Sequence, residues 1–171
     1  GFKSLSESLI ELKKCRDKEN MSVVVLLKVS PDLTDSSKRE VASICLDRQA
    51  YGIDGLIVSN TTRFRPDSLR SPLKDEAGGL SGKPLHPLAL STIRQFYKLT
   101  AGSVPIVGCG GIASGEDAYA MIRAGASLVQ LYTALVYQGF PVVGRVKREL
   151  TRCLRADGFK SVADAVGAEF R

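Results

Sequence analysis

Four short stretches of nearly unbroken apolar residues punctuate the chain: Val23–Val29, Gly55–Ser59, Val104–Gly108 and Leu128–Tyr132. Unbroken rather than alternating apolarity predicts parallel strands covered on both faces. Each stretch is followed by a polar or glycine-rich turn and then by apolar residues at helical spacing. After the first, Thr34 or Asp35 caps a helix whose inner stripe is Val41, Ile44 and Cys45. After the third, Ser114, with Asp117 three residues on, opens a helix that turns Ala118, Met121 and Ile122 inward and ends at Gly125. After the fourth, Val143, Val146, Leu150 and Cys153 recur every three or four residues. The joints Ala50–Asp54 and Arg123–Ser127, each leading into a strand, resemble one another, a weak repeat of a βα unit. Such units leave two α/β architectures open: a small doubly wound sheet, or half of a (β/α)8 barrel of the TIM type.

Composition narrows the class without choosing between them. At 171 residues, 44% apolar and 25% charged, the chain makes one ordinary globular domain rather than a disordered or disulfide-framed one. The longest apolar run, Val23–Leu27, falls far short of the roughly 20 residues of a membrane helix. The 24 Lys and Arg against 18 Asp and Glu give a net charge of +6. Lys13, Lys14, Arg16 and Lys18 are interleaved with Glu11, Asp17 and Glu19, a solvated helix face. The cluster Arg145, Lys147, Arg148, Arg152 and Arg155 lacks the interleaved aromatics of a nucleic-acid binder, and no nucleic-acid partner is expected. The four Cys (15, 45, 109 and 153) show no metal-ligand spacing, so no metal is expected either. Cys45 and Cys153 read as buried, reduced thiols, which suits a reducing compartment. The first residue is Gly and no signal or transit peptide is visible, so the chain reads as processed or as part of a longer protein.

One connection is out of scale. Thr61 to Pro87 offers no convincing regular element, but it contains Pro66, Pro72 and Pro84 and the run Gly78-Gly79-Leu80-Ser81-Gly82. Loops longer than about 12–15 residues without structure of their own are usually functional lids, binding loops or disorder, and the glycine run points to binding. Gly108-Cys109-Gly110-Gly111-Ile112-Ala113, between a strand and a helix, has the letters of a dinucleotide fingerprint. That fingerprint also needs an acidic residue at the end of the next strand, where this chain has Gln130, Leu131, Tyr132 and Thr133, so the reading fails. A phosphate cradle of backbone amides after two consecutive barrel strands fits better, built from Gly110-Gly111 and Tyr132-Thr133.

Lys28 comes near the end of the otherwise apolar strand Val-Val-Val-Leu-Leu-Lys-Val. A lysine snorkelling to a rim would explain it in isolation. Beside the other motifs it is read as a ligand contact, because strand ends are where barrel chemistry sits. Ser59-Asn60-Thr61-Thr62 ends the second strand with four hydrogen-bonding side chains in a row, suited to a polar ring or to a turn cap. His86, between Leu85 and Pro87, has no evident partner and is read as structural.

In this order the motifs resemble the C-terminal half of dihydroorotate dehydrogenase, a (β/α) barrel enzyme of pyrimidine synthesis that uses flavin mononucleotide (FMN). The resemblance runs through Leu26–Leu33, Gly52–Thr62, Gly78–Leu85, Val104–Gly111 and Gly125–Thr133. The form Gly-Gly-Leu-Ser-Gly-Lys-Pro-Leu and the sequence Tyr132-Thr133-Ala134-Leu135 resemble the class 2, quinone-reducing, membrane-associated branch. The resemblance implies that residues 1–171 are strands five to eight with their helices. It implies that Lys28 lies at the N1/C2 edge of FMN in an electrostatic role, and that Asn60 and Thr61 hold dihydroorotate. Ser59, Ser81 and Gly82 would touch FMN, and Gly110, Gly111, Tyr132 and Thr133 would bind its phosphate.

The resemblance also implies a serine general base upstream, with Gly1-Phe2-Lys3-Ser4-Leu5 similar to the stretch just after its loop. The first-half flavin contacts and the N-terminal quinone- and membrane-binding region would lie outside these residues, and the segment alone is expected to be inactive. The parent enzyme would oxidise dihydroorotate to orotate with a quinone as acceptor. It would be peripheral to the mitochondrial inner membrane in a eukaryote, or to the bacterial inner membrane. Another FMN barrel oxidoreductase, a phosphate-binding barrel without flavin, and a basic scaffold are the alternatives.

Overall fold

The computed structural model describes residues 2–171. Helix α1 (Phe2–Lys18) precedes β1 (Leu26–Val29), α2 (Asp35–Leu46), the single turn α3 (Arg48–Tyr51) and β2 (Gly55–Val58). A long loop and a 3-10 turn at Lys83–Leu85 lead to α4 (His86–Leu99), β3 (Ile106–Cys109), α5 (Gly115–Arg123) and β4 (Leu128–Gln130). Then come α6 (Thr133–Gln138), α7 (Pro141–Ala156), the short α8 (Val162–Ala165) and a last 3-10 turn at Ala168–Phe170.

All four strands are parallel, in the order β1-β2-β3-β4. A doubly wound sheet reverses its order about a switch point, whereas a barrel wall adds each strand beside the last. The order here is that of a barrel wall. Start signals act as the sequence predicts. Thr34 caps α2 by accepting from the Ser37 amide, and Ser114 and Asp117 form a reciprocal capping box at α5.

The register sorts the strand residues onto two faces. Val29, Leu56, Val58, Ile106 and Gly108 pack under α2, α4 and α5, against Val41, Ile44, Ile93, Phe96 and Met121. At Gly108 a Cβ would sit only 3.1 Å from Ala126 Cβ and from Met121 Sδ, which brings helix layer and sheet together. The opposite face carries Lys28, Ile57, Val107, Cys109 and Gln130, flanked by Leu26 and Leu128 at 37% and 65% exposure. Cover on both faces, as the sequence predicts, is therefore realised on the helix side alone among the described residues.

Four further expectations need correction. The first strand starts at Leu26 rather than Val23, because Val25 is engaged by Asp54: its amide donates to the carboxylate at 2.9 Å, while its carbonyl accepts from the Asp54 amide at 2.8 Å. Arg16 is not on a solvated face; its guanidinium donates to Gly52 O at 3.0 Å and meets Asp54, fastening α1 to the turn before β2. The long connection is not irregular to Pro87, since the 3-10 turn and the first residues of α4 occupy its end. On α7 the buried residues are Val142, Val146 and Leu154, while Val143 stays exposed and Cys153 is only half-buried. The rotation is set by α5: Gly115 lies so close to Glu149 and Leu150 that any Cβ would overlap them. Cys45 is buried as expected, and burial pushes its thiol up to about 12.

Two adjacent valines therefore differ in role. Val142→Ala should cost about 1–3 kcal/mol by emptying a packed site, while Val143→Ala should stay within about 0.5 kcal/mol. Chemical denaturation of both variants would measure this, and equal costs would contradict the helix rotation.

Candidate functional site

Parallel strands deliver their C-terminal ends to one rim, and a cavity of about 700 Å3 opens there. That is within the size range of small-molecule and cofactor sites. All ten residues singled out from sequence line it: Lys28, Ser59, Asn60, Thr61, Ser81, Gly82, Gly110, Gly111, Tyr132 and Thr133. Lys83 adds a second ammonium to that of Lys28, and no carboxylate lines it among the described residues, so it favours anionic ligands.

The sheet supplies the floor. Lys28, Cys109 and Gln130 share the face away from the helices, and the Lys28 ammonium enters no ion pair among the described residues. Burial pushes the Cys109 thiol up from its ordinary value, with the Lys28 charge acting the other way. Beyond β2, Ser59 is buried, follows a cis peptide bond, and donates its hydroxyl to the Asn60 carbonyl at 2.8 Å. Asn60 Oδ1 accepts from the Thr61 amide at 2.9 Å. That leaves the Asn60 side-chain N–H donors and the Thr61 hydroxyl for a ligand.

Two glycine segments and the start of α6 form the wall. Gly110 and Gly111 have φ of +136° and +69°, the region that glycine occupies without strain. A Cβ on Gly111 would sit 2.7 Å from both Gly82 O and His86 Cβ, so the pair is seated directly on the turn that follows the glycine run. The N–H groups of Gly110, Gly111, Tyr132 and Thr133 have no backbone acceptor among the described residues. Thr133 Oγ1 donates to Ser81 Oγ at 3.1 Å, closing the wall between the glycine run and α6.

Asp117 organises this wall from behind. One carboxylate oxygen accepts from the Ala113 and Ser114 amides at 3.0 and 3.1 Å, and the other accepts from Lys83 Nζ at 2.6 Å. His86 Nε2 lies 3.3 Å from the Asp117 carbonyl and 3.8 Å from its carboxylate, so the partner His86 lacked in the sequence is supplied by α5. Burial pushes the Asp117 carboxyl up, but the Lys83 ammonium, the Ala113 amide and His86 outweigh it and hold it below the usual carboxylate range. From sequence alone Asp117 is visible only as a helix cap, and Lys83, Cys109 and Gln130 are not among the residues predicted for the site. For Lys83 a signal existed, a cation directly after the glycine run.

Residues 3–154 match the family model described as Dihydroorotate dehydrogenase. The mitochondrial dihydroorotate dehydrogenase (quinone) of Mus musculus is 54% identical over 147 residues, covering 86% of this chain and 36% of that protein. The dihydroorotate dehydrogenase (quinone) of Azorhizobium caulinodans is 56% identical over 147 residues, covering 86% and 40%. A crystal structure of DHODH in complex with ferulenol, from Eimeria tenella, matches with a TM-score of 0.82 at 48% identity, over 86% of this chain and 38% of that one. The chain thus spans well under half the length of these relatives.

The Asp117 arrangement carries a signed pH dependence. Its folded pKa lies below the unfolded value of about 3.9, so its contribution is complete above that pH and is lost as pH falls through the folded value. Asp117→Asn should be less stable at neutral pH and should lose less stability than the wild type between about pH 5 and pH 2. Denaturant midpoints across that range would measure both, and parallel profiles would contradict it.

Proposed function

The chain belongs to the dihydroorotate dehydrogenase family, and from that premise we infer that it forms the C-terminal half of the flavin barrel of a class 2, quinone-reducing enzyme that oxidises dihydroorotate to orotate. The observation that carries this reading is the convergence around one cavity of backbone amides and an ammonium that have no partner among the described residues, together with a polar Asn-Thr pair. The residues fit flavin mononucleotide. A dianionic phosphate needs several N–H donors and no carboxylate nearby, as at Gly110, Gly111, Tyr132 and Thr133. Ser59, Ser81 and Gly82 would complete the hold on the cofactor.

FMN, when bound, supplies the two-electron redox chemistry between dihydroorotate and a quinone. In the reaction the substrate loses a proton from C5 and a hydride from C6. Asn60 and Thr61 would orient the polar ring through the side-chain amide and hydroxyl left unpaired in the structure. Lys28, on the cavity floor, would hold a fixed positive charge where negative charge arrives with the hydride, so that no solvent needs to reorganise. The serine base belongs to a segment N-terminal to these residues, as do the quinone- and membrane-contacting parts. No described helix is long and apolar enough to cross a membrane. The mitochondrial relatives support a mitochondrial location in a eukaryote; there the enzyme would sit peripherally on the inner membrane, and in a bacterium on the bacterial inner membrane.

Two substitutions in the complete enzyme test this reading. Lys28→Met should slow flavin reduction by dihydroorotate in a single turnover about 100-fold or more while flavin is retained. Unchanged reduction would remove the assigned role. Gly111→Ala forces a side chain into a left-handed backbone position against Gly82 and His86. It should leave a folded protein that loses most of its flavin on gel filtration, and full flavin occupancy would contradict the cradle.

A further inference from the structure

The loop between Thr62 and Leu80 is long, exposed and held by little apolar burial: Phe64 and Leu73 are 58% and 66% exposed. Its base is clasped. Thr62 and Leu80 exchange backbone hydrogen bonds of 3.1 and 2.7 Å. Asp32 accepts from the Thr62 hydroxyl at 2.5 Å and from the Arg63 amide at 2.7 Å. The interior of the loop is gathered by one side chain. Arg65 donates from Nε to Lys74 O at 2.8 Å, from Nη1 to Thr62 O and Phe64 O at 3.3 and 3.4 Å, and from Nη2 to Glu76 O and Gly78 O at 3.1 and 2.8 Å. Every guanidinium nitrogen is thus spent on backbone carbonyls of the loop.

The last of those carbonyls immediately precedes the cavity. Gly79 lies so tightly against the Thr61 side chain that a Cβ there would overlap its Oγ1 and Cβ. Thr61 is a cavity residue whose hydroxyl has no protein partner among the described residues, so the backbone at Gly79 restricts where that hydroxyl can point. We propose that Arg65 is a positioning residue for substrate: by gathering the loop carbonyls it holds Gly79 against Thr61 and so sets the Thr61 hydroxyl for the ring it binds. This rests on the reading of Asn60 and Thr61 as the dihydroorotate site. Lysine cannot replace Arg65, because a single ammonium offers three donors from one point where five carbonyls surround a planar fork.

The test uses the complete, flavin-loaded enzyme. Arg65→Ala should raise KM for dihydroorotate about tenfold or more, and weaken orotate binding to a similar degree as read from the flavin absorbance of the oxidised enzyme. The kcat at saturation should change less than KM, flavin content should stay equal to wild type, and trypsin should cut faster after Arg70 and Lys74. Arg65→Lys should not rescue. Gly79→Ala, which presses on Thr61 with Arg65 intact, should reproduce the KM rise; it and Arg65→Lys decide the matter if Arg65→Ala does not fold. Arg63→Ala, whose side chain is exposed, is the control. If dihydroorotate does not bleach the wild-type flavin, the functional reading is wrong and the proposal falls with it. If it does, and Arg65→Ala binds orotate as tightly as wild type, the proposal alone is wrong.

Discussion

Parallel pairing of the four strands is the constraint on which the site depends. Because all strands run the same way, their C-terminal ends and the loops that leave them arrive at one rim, however far apart they are in sequence. The register then decides which side chains look inward. Lys28, Cys109 and Gln130 share the face away from the helices, while their neighbours Val29 and Gly108 are committed to the helix layer. A slip of one residue would exchange the two sets and put an ammonium into the apolar core.

Around that rim the chain separates satisfied from unsatisfied polar groups. Behind the wall, Asp117 meets two amides, Lys83 and His86, a closed set that makes the glycine turn, the start of α4 and the cap of α5 one unit. In front of it, the amides of Gly110, Gly111, Tyr132 and Thr133, the Lys28 ammonium and the ends of Asn60 and Thr61 are left without partners among the described residues. Groups of this kind are costly in a closed interior and natural in a site whose ligand completes them. Their sign is consistent: donors and positive charge dominate, which suits an anionic ligand.

The loop carrying the glycine run depends on hydrogen bonding rather than on a core. Arg65 and Asp32 hold backbone groups that no helix or strand satisfies, and little apolar surface is buried there. Order of this kind is local and weaker than the core, a usual property of elements that close over ligands.

Much was readable in sequence because it depends on near neighbours. Unbroken apolar runs marked the strands, Thr34 and Ser114 marked helix starts, and the glycine pair marked a close backbone approach, each a consequence of local sterics and hydrogen bonding. What required the fold were distances between residues far apart in the chain. Only packing against α5 chose Val142 over Val143 as the buried residue of α7, since two adjacent valines look alike to helical periodicity. Only the tertiary arrangement gave His86 its Asp117 and Arg16 its Asp54. Sequence spacing carries no information about contacts closed by strand pairing and helix docking, whereas a turn or a cap is specified by the few residues that build it.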